Sequence, residues 1–262
     1  MDFINDTDYL DQHFLVDKKV INSFIDAANL KITDNVVEIG PGKGVLTSII
    51  VKKVNHLACI EIDLKLEHFL NVLEEKYDNL DIIYGNVLDS YIPECDKIVA
   101  ALPYSITEPF IEKLLCCNFK EAVLIVGKKY ADSVLNNNIN KLSMLTNCFF
   151  EVEKIMDIVP DSFEPKPRVM SSLITLKRTS RKKLLNNKKM FIFRELFFYR
   201  KRIIKNSIME ALIEYDKMFD KKLTKKSSKE IVDSFNIDKT IMNKQIENLS
   251  NDEIKIIYES II

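Results

Sequence analysis

The hydrophobic positions of this chain follow two rhythms. From about residue 35, short β-rich runs alternate with stretches of helical periodicity. VVEI (36–39) is followed by a glycine loop and GVLTSIIVKKV, then come HLACIEI (56–62), a helix near 64–76, and DIIYG (81–85). KIVAAL (97–102), a helix near 106–117 and AVLIV (122–126) continue the series. Apolar strands separated by helices of about 10–15 residues predict a mostly parallel sheet, because only strands covered on both faces can be apolar at successive positions. After residue 149 the rhythm changes. FFEVEKIMDIV and VMSSLITLK are strand-like and are joined by PDSFEPKPR without a helix, which predicts an antiparallel pair at the sheet edge. RTSRKKLLNNKK breaks the pattern beyond Arg178, and the remainder reads as helices. The expected organisation is an α/β domain over 1–178 and a small helical domain over 179–262.

Composition narrows the classes. A chain of 262 residues, 47% hydrophobic, can bury a full-size core, and five glycines with seven prolines exclude collagen-like and linker-rich chains. No apolar run approaches the ~20 residues that span a bilayer. MDFINDTDYL has no cationic start followed by an apolar stretch, so a secretory signal is not expected. Five cysteines, without metal-type spacing, suit a reducing cytoplasm better than a disulfide framework. His13, His56 and His68 are scattered, and no metal site is expected.

The net charge of −1 conceals an asymmetry. Residues 1–176 carry 17 Lys/Arg against 27 Asp/Glu, whereas 177–262 carry 21 against 12. Within 177–205 there are twelve basic residues and one acid, Glu195, with Phe197, Phe198 and Tyr199 interleaved. Such a stripe attracts a polyanion through counterion release, so a nucleic-acid surface is expected; the plainer alternative is a solvated helical face.

VVEIGPGKGVLT places Gly40, Gly42 and Gly44 between a strand and a helix, where glycines let the backbone turn tightly and approach a ligand. The spacing G-x-G-x-G is shorter than the dinucleotide fingerprint, and no Lys-Ser/Thr pair completes a phosphate-binding loop. Glu38 precedes the first glycine, where an acid suits a ligand carrying an ammonium and a sulfonium. Glu61 and Asp63 end the second strand, about 20 residues on, where an acid takes ribose hydroxyls. Together these favour S-adenosyl-L-methionine (SAM) over NAD. GNVLD (85–89) ends the third strand, and Asn86 is the candidate for the cofactor's adenine or a simple turn residue.

With ALPYSI (101–106) at the end of the fourth strand, the motifs in order resemble the ribosomal RNA adenine dimethyltransferases of the KsgA/Dim and Erm types. QHFL (12–15) is similar to that family's Q-N-F-L, EIGPGKGVLT to its SAM loop, IEID (60–63) to its ribose-binding acid, and GNVLD to G-D-A-L-x-x-D. ALPYSIT resembles N-L-P-Y-x-I-S, FEPKPRVMSSLI (163–174) resembles F-x-P-x-P-K-V-x-S-A-I, and FFYRKRIIKNSI (197–208) the basic run of a helical domain. The resemblance spans nearly the whole chain. It implies a Rossmann-like, SAM-dependent methyltransferase domain with an antiparallel sheet edge, followed by a helical RNA-binding domain. It further implies a cytoplasmic, monomeric enzyme acting on small-subunit ribosomal RNA, with no membrane partner.

Residue by residue, the resemblance assigns Gln12, His13, Leu15, Glu38, Gly40, Gly42, Glu61, Ile62, Asn86, Val87 and Ala101 to the cofactor. Ala101, Leu102, Pro103 and Tyr104 fall at the target base, and Arg200, Lys201, Arg202 and Lys205 at the RNA. In the family, an Asn side chain and a backbone carbonyl hold the adenine amino hydrogens while the aromatic ring stacks on the flipped base. Ala101 stands where the family has Asn, so one acceptor is missing. A paralogue that binds RNA without transferring methyl groups, or a methyltransferase redirected to another substrate, is the alternative. Phe163 is expected near the sheet's mouth as a clamp or a packing residue. Tyr9, Phe14 and Phe24 are expected to close over the cofactor, with core packing the simpler account for Phe24.

Overall fold

The computed structural model describes residues 12–261, the side chains of residues 181 and 182 excepted. Among the described residues nine strands are formed: β1 (Phe14–Leu15), β2 (Asn35–Ile39), β3 (His56–Glu61), β4 (Leu80–Tyr84), β5 (Lys97–Ala101), β6 (Glu121–Gly127), β7 (Phe150–Ile158), β8 (Phe163–Glu164) and β9 (Ser171–Arg178). Seven build one sheet in the order β4-β3-β2-β5-β6-β9-β7, while β1 and β8 pair separately and antiparallel. β4, β3, β2, β5 and β6 run parallel, and β9 joins β6 antiparallel. The expected antiparallel pair is therefore present with a different placement: β9 lies inside the sheet and only β7 is an edge.

Burial explains the sequence rhythm. Every residue of β3 after His56 and the first four of β5 are buried, so these strands read as continuous apolar runs. The edge strands β4 and β7 alternate buried and exposed positions because one face meets solvent. Lys97, at the start of β5, is buried but donates to the Ala28 carbonyl at 2.6 Å and pairs with Glu121 at 3.3 Å, which offsets the cost of removing its ammonium from water.

The helices are α1 (Lys18–Ala28), α2 (Thr47–Ile50), α3 (Glu67–Glu74), α4 (Thr107–Leu114), α5 (Lys128–Leu135), α6 (Lys141–Phe149), α7 (Arg181–Leu185), α8 (Lys188–Phe198), α9 (Ile204–Lys217), α10 (Lys225–Ser234), α11 (Lys239–Met242) and α12 (Asn251–Ser260). Their starts are written in short polar side chains. Asp17, Asn140, Asn187 and Thr224 each accept a backbone N–H of the first turn, and Ser250 with Glu253 forms a reciprocal capping box. The helix expected over GVLTSIIVKKV is reduced to α2. Its β-branched residues (Thr47, Ile49, Ile50, Val51, Val54) disfavour propagation, and the chain turns toward β3 instead.

Two compact units result. One contains the chain up to Leu135 with Val152–Arg178; the other contains Asn136–Glu151 with the chain from Thr179 onward. One division between the units falls after Arg178, and α6 groups with the chain beyond it. Within that unit α8 contributes Phe191, Ile192, Phe193, Leu196 and Phe197 to a core shared with Ile208 and Leu212 of α9. Phe24 is fully buried in the core of the first unit.

Candidate active site

Strand order reverses between β2 and β5, so the loops leaving their carboxyl ends diverge and open a crevice there. A cavity of about 240 Å³ occupies this position, wholly within the first unit. Gln12, His13, Leu15, Glu38, Gly40, Gly42, Glu61, Ile62, Asn86, Val87, Ala101, Leu102, Pro103 and Tyr104 all line it. Tyr9 lies outside the described residues.

The glycine loop is shaped by backbone conformation. Gly40, Gly42 and Gly44 have φ of 64°, 60° and 76°, a left-handed region in which a side chain is strained. A Cβ on Gly42 would lie 3.1 Å from two ring atoms of Phe14, so a side chain there would press on the ring as well as strain the backbone. Gly44 has a different reason for being glycine: a Cβ there would lie 2.5 Å from Leu73 Cδ1, against α3 rather than the cavity. The Phe14 ring, over which Lys43 Nζ sits at 4.7 Å, is a wall of the site.

Two buried carboxylates meet beneath the loop. Glu61 Oε2 accepts the Gly42 N–H at 3.0 Å and Oε1 the Asp63 N–H at 2.9 Å, so one side chain fixes the loop to the end of β3. Burial raises its pKa above the usual value, while those same N–H groups oppose the shift. Glu38 is fully buried; desolvation pushes its pKa up to about 7, and the neighbouring Glu61 charge adds to the rise. The Cys59 thiol donates to Glu38 Oε2 at 3.5 Å, and the nearby Thr47 hydroxyl is buried outside hydrogen-bonding geometry. Among the described residues no lysine, arginine or histidine pairs with Glu38.

The N-terminal motif closes one side through β1, whose Leu15 and Phe14 pair with Phe163 and Glu164 of β8. QHFL and FEPKP, 150 residues apart in sequence, are thus neighbours, and Phe163 is a buried residue that also lines the cavity. Gln12 Nε2 donates to Asp63 Oδ2 at 3.0 Å. The Pro165 carbonyl only accepts, so His13 Nδ1 carries the proton in their 2.8 Å contact. The His13 ring stands 6.1 Å from that of Tyr104, tilted by 30°.

Asn86 borders the cavity and also holds the turn after β4: its Oδ1 accepts from Leu88 N at 3.0 Å and its Nδ2 donates to Asp89 at 2.9 Å, each leaving one further hydrogen-bonding position on the amide. At the end of β5 the Leu102 N–H is used by the Ile125 carbonyl at 3.1 Å, and the Pro103 carbonyl accepts from Ile106 N at 3.2 Å. The Tyr104 hydroxyl is 2.6 Å from Ser171 Oγ. Sequence reading did not single out Ser171, Lys43 or Ile125. Ser171 was visible only as part of the VMSSLI motif, and the other two carried no signal apart from their neighbours.

The basic stripe of 177–205 is partly consumed internally. Arg178, in the first unit, donates through Nη2 to the carbonyls of Leu114, Leu115 and Cys117 at 2.8, 3.3 and 2.6 Å, closing the end of α4. In the second unit Lys205 pairs with Asp233 at 2.5 Å, Arg200 with Glu247 at 3.3 Å, and Arg202 lies 4.5 Å from the Tyr199 ring centre. The Lys201 side chain is exposed. The interleaved aromatics do not form an open platform. Phe197 is in the core, and Phe198, though more than half exposed, meets Phe149 edge-on at 5.2 Å with Arg194 over both rings.

Among the described residues no group of His, Cys, Asp and Glu could hold a metal ion, and no helix is long and apolar enough to cross a membrane. Residues 5–261 match the family model described as ribosomal RNA adenine dimethylase. The chain is 36% identical over 211 residues to ribosomal RNA small subunit methyltransferase A of Borreliella burgdorferi, covering 77% of this chain and 74% of that protein. It is 32% identical over 259 residues to a probable enzyme of the same name from Methanococcus aeolicus, covering 95% and 93%. A dimethyladenosine transferase from Plasmodium falciparum superposes with a TM-score of 0.65 at 25% identity, covering 94% and 97% of the two chains. The 23S rRNA methyltransferase ErmE, at 20% identity and a TM-score of 0.61, shares the fold over 95% of this chain and 99% of its own. With a match that runs almost from end to end, the chain belongs to the ribosomal RNA adenine dimethylase family.

Proposed function

We propose that this protein methylates the N6 amino group of adenine in small-subunit ribosomal RNA, using SAM. The observation that carries the reading is the convergence of the glycine loop, two buried carboxylates and the Leu102–Tyr104 turn on one cavity at the sheet's reversal point. The residues suit SAM. Glu38 is a buried acid with no cationic partner among the described residues, which a ligand bearing positive charge would satisfy, and Gly42 leaves the loop open where a Cβ would press on Phe14. When bound, SAM supplies an electrophilic methyl group on a sulfonium.

The chain's own residues do the rest. Gly40 and Gly42 let the backbone approach the ligand, Glu61 offers carboxylate oxygens to the ribose, and Ile62 and Val87 face the cavity as apolar walls for a purine. Gln12, His13 and Leu15 bound it on the N-terminal side. Tyr104 stacks on the target base, and the backbone at Leu102 and Pro103 takes one amino hydrogen, so that the nitrogen lone pair points at the methyl group. Ala101 contributes no acceptor, and catalysis rests on orientation and stacking. Outside the cavity, the exposed Lys201 and the outer faces of Arg200, Arg202 and Lys205 meet RNA phosphates.

Gly42→Trp tests the cofactor assignment. Filling the loop abolishes SAM binding in calorimetry and methyl transfer with it; unchanged SAM affinity would refute the assignment.

A further inference from the structure

We infer that Ser171 is a positioning residue that fixes where the Tyr104 ring projects, an inference that rests on Tyr104 being the base-stacking residue proposed above. Ser171 begins β9, is fully buried, and lies opposite Gly127 in the antiparallel register of β6 and β9. Its Oγ is 2.6 Å from the Tyr104 hydroxyl, far from the ring's attachment to the backbone. The end of the sheet that carries it is held firmly. Lys128 N donates to the Met170 carbonyl at 2.9 Å, and Ser172 Oγ donates to Asp157 at 2.7 Å. Asp157 in turn pairs with Lys128 at 2.8 Å and Lys154 at 3.3 Å, and both lysines also reach Asp132.

The side facing Gly127 gives the ring no tight wall: even an added Cβ there would lie 3.7 Å from Tyr104 Cδ1, an ordinary van der Waals distance. The phenolic oxygen lies on the axis of the ring's own rotation, so a tether there acts on the swing of the whole side chain about χ1 and not on the terminal torsion. Anchoring the distal hydroxyl to an immobile strand holds the ring at one place beside the cavity. Orientation is what stacking contributes here, and small misplacements of a reacting group have large effects on rate.

The test is a double-mutant cycle with Ser171→Ala and Tyr104→Phe, which keeps the stacking ring and removes only its tether. Each single variant should lower kcat for methyl transfer to unmodified small ribosomal subunits about tenfold, leaving KM for SAM and thermal stability close to wild type. The double variant should be no worse than either single one, because both remove the same contact. Additive losses, or full activity in Tyr104→Phe alongside loss in Ser171→Ala, would overturn the assignment. A wild type that transfers nothing would count against the proposed function instead. In that event, quenching of 2-aminopurine riboside by the protein decides the positioning role. Equal weakening in both single variants supports it, and identical quenching in all forms, or none in wild type, overturns it.

Discussion

Glu38→Gln is the perturbation whose magnitude the structure fixes most directly. The carboxyl is fully buried, and its pKa stands at about 7 against an ordinary 4.5. Keeping it charged in the folded state therefore costs about 3 kcal/mol, the free-energy equivalent of that gap. Between these two values the native state keeps a proton that the unfolded chain has released, so stability falls as pH rises across the window and levels off above it. Glutamine reproduces the neutral acid and removes this dependence. Urea unfolding at pH 4.5, 6 and 8 should show the advantage of Glu38→Gln over wild type growing by about 3 kcal/mol across the series. Saturating SAM should shrink that advantage at pH 8, because a ligand bearing positive charge favours the ionised carboxylate that only the wild type has. A variant whose stability relative to wild type is the same at all three pH values would refute the claim that Glu38 is held uncharged by burial.

Other perturbations separate the site from its scaffold. Ala101→Asn restores an acceptor for the amino hydrogens and should raise kcat for methyl transfer by up to about 10²-fold, read in single-turnover assays with labelled SAM. Arg178→Ala removes the guanidinium from the Leu115 and Cys117 carbonyls, while Leu114 keeps the Cys117 N–H, and should lower stability by about 2 kcal/mol in urea unfolding, leaving the salt dependence of RNA affinity unchanged. Lys201→Ala should flatten the slope of log affinity against log salt by roughly one, as expected for a single phosphate contact, while Lys205→Ala, whose ammonium is engaged by Asp233, should flatten it less.

The parallel sheet was legible because β3, β5 and β6 are covered on both faces and so carry no polar alternation, and the glycine loop because positive φ selects glycine three times within five residues. Less was legible where one residue type serves two ends. Gly44 looks like Gly42 in sequence, yet it answers to Leu73 rather than to the cavity. Asn86 reads equally as a ligand contact or a turn residue, and its amide holds the turn while it borders the cavity. Charge counting gave the stripe of 177–205 but not its partners, since Arg178 and Lys205 find acceptors far along the chain. The position of β9 between β6 and β7 and the grouping of α6 with the C-terminal helices depend on long-range packing that no local periodicity records.

The central claim is tested most directly by incubating the protein with labelled SAM and small ribosomal subunits lacking the modification, then identifying the labelled nucleotide by mass spectrometry. The account predicts label in N6-methylated and N6,N6-dimethylated adenosine of the small-subunit RNA, formed with Ala101 in place. A protein that binds both SAM and the subunit yet transfers no label to adenine would contradict it.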